Sequence, residues 1–422
     1  MPQKTAAYLV VEHPDDRIPH YVDLVKEFSY SSDVMGVGEL CQFVVVGDDQ
    51  GGTLRKLREG AMLKLRLKND AVNGGNWTRK HTGRIVERDV SVKEGTIKIT
   101  SADLGWHLLN CHAPEWFRLR GSKLGDLLDP KARHQFLDPS FGFEGVRTGD
   151  DANALNRAIK LGKAGIRPPG VSPLEVMPVI QIEPGESFYD CITKYAQRFN
   201  KLINVSVDGY VQVWNPNYDR PPRYQIRCMP GDSNVIEARR HDDASTRYTQ
   251  VTVVGEIVVP PIDERAPQPT NPNFNKRRGV YTAAKNPKNG LPAPLPFTHR
   301  QTVGDGEMFD RSMAAGQAEW KWKRGMFDSH YLQVVVQDHY QGDTWWESDE
   351  MVEVDIPALD VKGTYYIQSA ACDSSTESGD TTTLILRWTH LLSASFGVWR
   401  NPPVYKAPGD KAAVTPGKGG GQ

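Results

Sequence analysis

The sequence predicts an α+β chain that is mostly β, and three observations carry that prediction. Alternating apolar and charged segments such as "LKLRLKN" at 63–69 fill the first 110 residues. A helix followed by a hairpin stands near the centre, at residues 185–217. Strand-like segments return at residue 246 and continue to about 395.

Residues 1–110 hold the candidate strands "AAYLVVE", "HYVDLVKEFSYSS", "CQFVVVG", "AMLKLRLKN", "TRKHTGRIVERDVSV" and "GTIKITSAD". Alternation marks a strand with one wet face. "VSVKEGTIKI" predicts a hairpin with Lys93, Glu94 and Gly95 at its tip. Short strands at this spacing suit a small barrel or a sandwich.

Residues 111–245 change character. "SKLGDLLDPKA" and "DDANALNRAIKLG" predict short helices, and "RPPGVSP" a rigid loop. In the central unit Phe188, Ile192, Tyr195 and Phe199 share one helical face. Ser187 is the expected N-cap, with the Asp190 carboxylate in the first turn. Leu202, Ile203, Val205 and Val207 then predict a strand, and Val211, Val213 and Trp214 its return. Asp208-Gly209 between them predicts a two-residue type I′ turn. "PPRYQIRCMPGDSNVIEARRHDDAS" closes the region with a strand and a connector.

Residues 246–398 return to β structure. "RYTQVTVVGEIVV" begins a strand. The stretch 258–300 is rich in Pro, Asn and Lys and reads as a long loop. Residues 304–325 predict a helix, with Met308, Arg311, Ala315, Ala318 and Trp322 near one face. "HYLQVVVQDHY", "EMVEVDIPAL", "GTYYIQSAACDSS" and "DTTTLILRWTHLL" follow as strands. The Pro-, Gly- and Lys-rich stretch 399–422 reads as a flexible tail. No short-period repeat is evident.

Composition bounds the function. Lys and Arg number 51 against 52 Asp and Glu, so there is no basic excess of the kind that grips nucleic acid. The 5 cysteines are scattered and form no CxxC pair, which fits reduced thiols made in a cytoplasm. The opening residues carry no apolar run of signal-peptide length, and no stretch approaches 18 apolar residues. A chain of this kind that works outside a cell needs another exit, such as lysis.

Chemistry-bearing patterns are sparse. His107, Cys111 and His112 lack a second paired ligand motif at zinc spacing, so buried Cys and partly exposed His are expected. "HPDD" at 13–16 and "HDD" at 241–243 suit turns and caps better than metal binding or acid–base work. "GDGEMFD" at 304–310 lacks the EF-hand ligand series, and Asp305 is expected at a helix start. The glycines before Glu39 lack a βαβ frame. No Walker A, HExxH or GxSxG pattern occurs. No catalytic, cofactor or metal residue is assigned. "WKWKR" at 320–324 and "DTWWESDE" at 343–350 suit a protein interface or a core, with a sugar platform at Trp345 and Trp346 as the alternative.

The unit "PGESFYDCITKYAQRFNKLINVSVDGYVQVW" resembles the central signature of baseplate hub proteins of Mu-like contractile-tailed bacteriophages, the phage late-control tail family. "TRYTQVTVVGE" resembles that family's strand into its second barrel, and "RSMAAGQAEWKWKRG" is similar to its helix. "EMVEVDIPALDVKGTYYIQSAACDSSTESGDTTTLILRW" resembles its final hairpins. The likeness is strongest from residue 183 onward, while the 258–300 excursion and the tail depart from it.

The resemblance implies a first β-barrel at 1–110, an α+β connector at 111–245 and a second β-barrel at 246–398. It implies a homotrimer whose two barrels per subunit form a pseudo-sixfold ring. Such a ring joins a sixfold tail tube to a threefold central spike and forms part of the DNA channel. The implied partners are other copies of the chain, the spike, tube or tube-initiator proteins and other baseplate proteins. DNA passes without sequence-specific binding, and no membrane is entered. The implied location is the virion, with synthesis in the host cytoplasm. No enzyme activity and no cofactor are expected. Trp320, Trp322 and Arg324 are the candidate interface residues. A receptor- or carbohydrate-binding tail component and a tail-associated cell-wall hydrolase stand as alternatives.

Overall fold

A computed structural model describes residues 5–14, 16, 18–47, 52–112, 117–123, 139–148, 176–182, 185–198, 202–214, 218, 220–255, 278–282, 297–305, 311–376 and 379–388. The described residues are mostly β with few helices. The first region contains β1 (Ala6–Glu12), β2 (His20–Val22), β3 (Val25–Asp33), β4 (Leu40–Val46), α1 (Gly52–Lys56), β5 (Met62–Lys68), β6 (Thr78–Ser91), β7 (Thr96–Asp103) and α2 (Gly105–Asn110). All six predicted strand segments are strands, the second divided into β2 and β3. They run in the sheet order β3-β4-β7-β6-β5-β1-β2. The alternation of β5 buries Leu63, Leu65 and Leu67 against Phe43, Val45 and Ile99.

The middle region contains β8 (Phe117–Lys123), β9 (Gly145–Thr148), β10 (Val176–Ile182), α3 (Phe188–Arg198), β11 (Leu202–Val205), β12 (Tyr210–Trp214), β13 (Tyr224–Met229), β14 (Asp232–Ser233) and β15 (Val235–Asp242). Ser122 and Lys123, expected to open a helix, end β8 instead. The rest of that expected helix, the one at 150–162 and the rigid loop at 167–173 lie outside the described residues. The predicted cap is present. The Asp190 amide donates to Ser187 Oγ at 3.0 Å, and the Ser187 hydroxyl donates to Asp190 Oδ2 at 2.7 Å. Phe188, Cys191, Ile192 and Ala196 bury one face of α3 against Leu104, Leu108 and Phe143. The side chains of Tyr195 and Phe199 lie outside the described residues.

The hairpin turn differs from its expected type. Asp208 does not take positive φ; only Gly209 does, at 88°. The Gly209 amide donates to Ser206 O and the Ser206 amide to Tyr210 O. The loop therefore spans three residues, Val207 to Gly209, with the glycine as the left-handed residue of a bulge. Ser206 Oγ accepts from the Tyr210 amide at 3.1 Å and stabilises this longer turn.

The last region contains β16 (Gln250–Gly255), β17 (Arg278–Thr282), β18 (Arg300–Asp305), α4 (Arg311–Asp328), β19 (His330–Gln337), β20 (Tyr340–Gln341), β21 (Thr344–Trp345), β22 (Glu350–Ile356), β23 (Val361–Ser375) and β24 (Gly379–Trp388). The stretch expected to be a loop contains a strand, because "RGVYT" pairs antiparallel with β16 as β17. Asp305 ends a strand, and the helix starts later than expected, at Arg311. Met308 and the tail 399–422 lie outside the described residues.

A 14-stranded sheet links the two ends of the chain. Its path is β14-β13-β22-β23-β3-β4-β7-β6-β5-β1-β2, and β24, β19 and β15 extend from the other edge of β23. The strands before residue 104 form one β unit, and those from β13 onward in this sheet form another. Each has its own apolar cluster. Two three-stranded sheets, β11-β12-β9 and β17-β16-β18, flank them, carrying α3 and α4.

Candidate functional site: the junction between the two β units

β23 joins the units because one bulge lets it serve two neighbours. Its first half, Val361 to Ile367, pairs with β22. Its second half, Ser369 to Ser374, pairs with β3 of the other unit. The register shift falls between Ile367 and Ser369. A bulge inserts one residue and increases local twist, so the strand is re-aimed there.

The bulge residue is Gln368, and its polar groups bridge the junction. Its carbonyl accepts from the Val34 amide at 3.0 Å. Its side-chain amide donates to the Asp33 carboxylate at 3.2 Å and accepts from Arg387 Nε at 2.6 Å. Arg387 in turn donates to the Phe327 and Asp328 carbonyls at the end of α4. One residue therefore connects the first unit, the second unit and the helix.

The segment 343–350 forms a second clamp. Trp345 is 4% exposed and packs into the first unit's cluster, while Trp346 is 2% exposed and packs into the second's. Adjacent side chains thus anchor in different cores. Buried Lys80 places Nζ 2.8 Å from Glu347 Oε1 and 5.4 Å from the Trp345 ring centre. Tyr224 donates its hydroxyl to the Trp345 carbonyl at 2.5 Å. Arg220 pairs with Asp349 at 2.6 Å, and Tyr366 donates to the same carboxylate at 2.9 Å. Burial raises the Asp349 carboxyl to about 6, with Arg220 opposing the rise. Removing one partner of a buried pair costs about 3–5 kcal/mol, because the other charge is left without compensation. Carboxylates matched to guanidinium and ammonium groups hold elements in fixed relation.

The predicted interface residues sit on α4. Trp322 is buried within the chain, and its indole N–H donates to the Tyr248 carbonyl at 2.6 Å. Arg324 pairs with Asp328 at 2.7 Å and lies over the Phe327 ring. The side chain of Trp320 lies outside the described residues. With Trp345 and Trp346 both in cores, neither forms an exposed sugar platform. His107 stacks on Phe141 at 5.0 Å, and burial lowers its imidazole to about 4. Of "HDD", Asp243 meets the turn expectation by capping a turn at Ser245, whereas His241 and Asp242 end β15 as ladder residues, and Asp242 pairs with His330 and Arg240.

Gln368 was not singled out from sequence, although a signal exists. In "TYYIQSAACDS" three consecutive residues, Tyr365 to Ile367, are buried, and alternation resumes at Ala370, Cys372 and Ser374. Alternation that changes phase marks a bulge.

No family model and no curated protein matches this sequence. Among the solved structures that share its fold are three tail proteins. The tail protein from Neisseria meningitidis MC58 is 16% identical with a TM-score of 0.66, over 93% of this chain and 99% of that one. The prophage MuSo2 43 kDa tail protein from Shewanella oneidensis is 14% identical with a TM-score of 0.63, over 90% and 98%. A prophage tail protein from Listeria monocytogenes EGD-e is 11% identical with a TM-score of 0.54, over 89% and 94%. The likeness is one of fold, and it spans nearly the whole of each chain.

Proposed function

We propose that the chain is a structural component of a phage tail and serves as its central baseplate hub. The observation that carries this is the fold shared with phage tail proteins over nearly their full length. The junction supports it, since a hub must hold two β units in fixed relation under load. In this proposal each β unit is a barrel, and three chains form the pseudo-sixfold ring. The connector region with α3 and its hairpin braces the barrels. The ring joins the sixfold tube to the threefold spike, lines part of the DNA channel and works without catalysis. It is carried in the virion.

The test is the mass of the purified chain by light scattering, with negative-stain images of the same sample. The expected result is three times the 47.1 kDa chain mass, in particles with an open centre. A chain that stays monomeric both alone and when co-expressed with its spike would sink the trimer. Burial of Trp345 and Trp346 weighs against a carbohydrate-binding tail component built on those two rings.

A further inference from the structure

The loop between β1 and β2 brings His13, Asp16 and His20 together. One potential ligand atom from each lies within 4.8 Å of the others. The register explains the convergence. Val11 faces His20 across the β1–β2 pair, so the chain leaving β1 and the chain entering β2 meet at the loop's base. The Asp16 amide donates to the His13 carbonyl at 3.1 Å, which turns the chain and points residue 16 back toward the strands.

His13 and His20 have different settings. His13 is buried, and its Nε2 lies 2.7 Å from the Lys56 carbonyl. A carbonyl only accepts, so that nitrogen carries the proton and Nδ1 keeps its lone pair. Metal-binding histidines are oriented in this way, with the second ring nitrogen donating to a carbonyl or carboxylate. His20 Nε2 lies 2.9 Å from Asp16 Oδ2, and the two imidazole rings stand 5.8 Å apart edge to face. Ligands held at zinc distances of about 2.0–2.2 Å are roughly 3.4 Å apart in a tetrahedron. To hold one ion, His20 Nε2 gives up the proton it donates to Asp16 Oδ2 and that pair opens from 2.9 Å, while the His13 ligand atom closes in from within 4.8 Å.

We propose that His13, Asp16 and His20 form a binding site for one divalent transition-metal ion of the zinc class, with a fourth position open to water or another ligand. Two imidazoles and one carboxylate suit zinc, cobalt or nickel better than calcium or magnesium, which prefer all-oxygen shells. The site was read from sequence as a turn because His20 lies seven residues beyond His13 and outside "HPDD". Its consequence is structural. β2 is the terminal strand of the large sheet, only three residues long, and the ion staples it to β1. This inference does not depend on the hub proposal.

The experiment titrates the full-length chain with Zn2+ by calorimetry and with Co2+ by visible absorption. Wild type should take up one equivalent of either ion at this site, and Co2+ should give the intense bands of a tetrahedral centre. His20→Ala and Asp16→Asn, both on the accessible side of the site, should weaken binding at least about tenfold. His241→Ala should leave it unchanged. Should wild type bind neither ion, or should binding persist undiminished in both H20A and D16N, the proposal is overturned. Buried His13 is left intact, so these outcomes do not depend on a variant that fails to fold.

Discussion

Two modules of this chain share one plan and are stabilised differently. In each, a helix covers a three-stranded mixed sheet. The central strand has one antiparallel and one parallel neighbour: β12 lies between β11 and β9, and β16 between β17 and β18. In the first module, under α3, the cap, helix and hairpin are contiguous at 187–214, β9 joins from upstream, and apolar side chains close the unit onto α2. The second, under α4, is assembled from separated pieces and fixed by close backbone approach. Gly325 of α4 leaves no room for a Cβ against the Thr246 carbonyl, and the Trp322 indole donates to the Tyr248 carbonyl nearby. A contiguous helix and hairpin can rely on propensity and capping. A helix and strands joined by long connections rely on shape.

The sharpest way to break the comparison is Gly325→Val. A side chain there meets the Thr246 backbone, which cannot swing aside, so α4 must lift from the segment that leads into β16. Overpacking of this kind costs about 3 kcal/mol. Denaturant unfolding of full-length chains should show that loss, whereas Gly304→Val, at a position in β18 with open space around it and no left-handed φ, should cost less. Equal losses would mean that the close approach at Gly325 is not what seats α4.

Trp322→Phe keeps most of the ring and removes the N–H. The Tyr248 carbonyl then loses a donor in a buried place, at a cost of about 1–2 kcal/mol. An unchanged midpoint of unfolding would show that packing alone seats α4.

Ser187→Ala tests the first module. It removes the acceptor of the Asp190 amide, and loss of an N-cap costs about 1 kcal/mol. Hydrogen exchange should rise first in α3 and leave α4 unaffected. Faster exchange in both helices would mean that the two modules open as one.

The same contrast explains what was legible in the sequence. The six strand segments of the first unit were legible because each is a short run rich in β-formers bounded by turn residues, with clear alternation in β4 and β5. Ser187 and the buried helix face were legible because capping and periodicity are local. The turn type at Asp208-Gly209 was missed because Ser206 supplies an extra acceptor that the two-residue pattern does not include. β17 was missed because "RGVYT" carries little pattern and is a strand only by pairing with β16 across a long separation. The Gln368 bridge and the metal cluster depend on which strands become neighbours. Composition supplied no information about either.

The smallest effect under mildly acidic conditions, and one that grows with pH, belongs to Glu39. The turn bearing Glu39 underlies α2, the platform of the first module. Gly38 packs against Trp106, and the Asp103 carboxylate caps α2 by accepting from the Trp106 amide at 3.1 Å. Glu39 accepts from the Asp33 amide and from Ser31 Oγ. Burial, with Asp103 and Asp33 adding repulsion, raises its carboxyl from 4.5 to about 8. The folded chain therefore holds a proton that the unfolded chain releases above about 4.5. The folded state binds more protons in that window, so stability falls as pH rises from about 4.5 to about 8 and levels off beyond. Glu39→Gln keeps the shape and removes the titration. It should match wild type near pH 4.5 and exceed it in melting temperature at pH 8, with the gain lying in α2 and α3 by hydrogen exchange. A gain that is equal at both pH values would show that the substitution acts through packing. Slower exchange in α4 instead would place the pH-sensitive element in the second module and reverse the comparison.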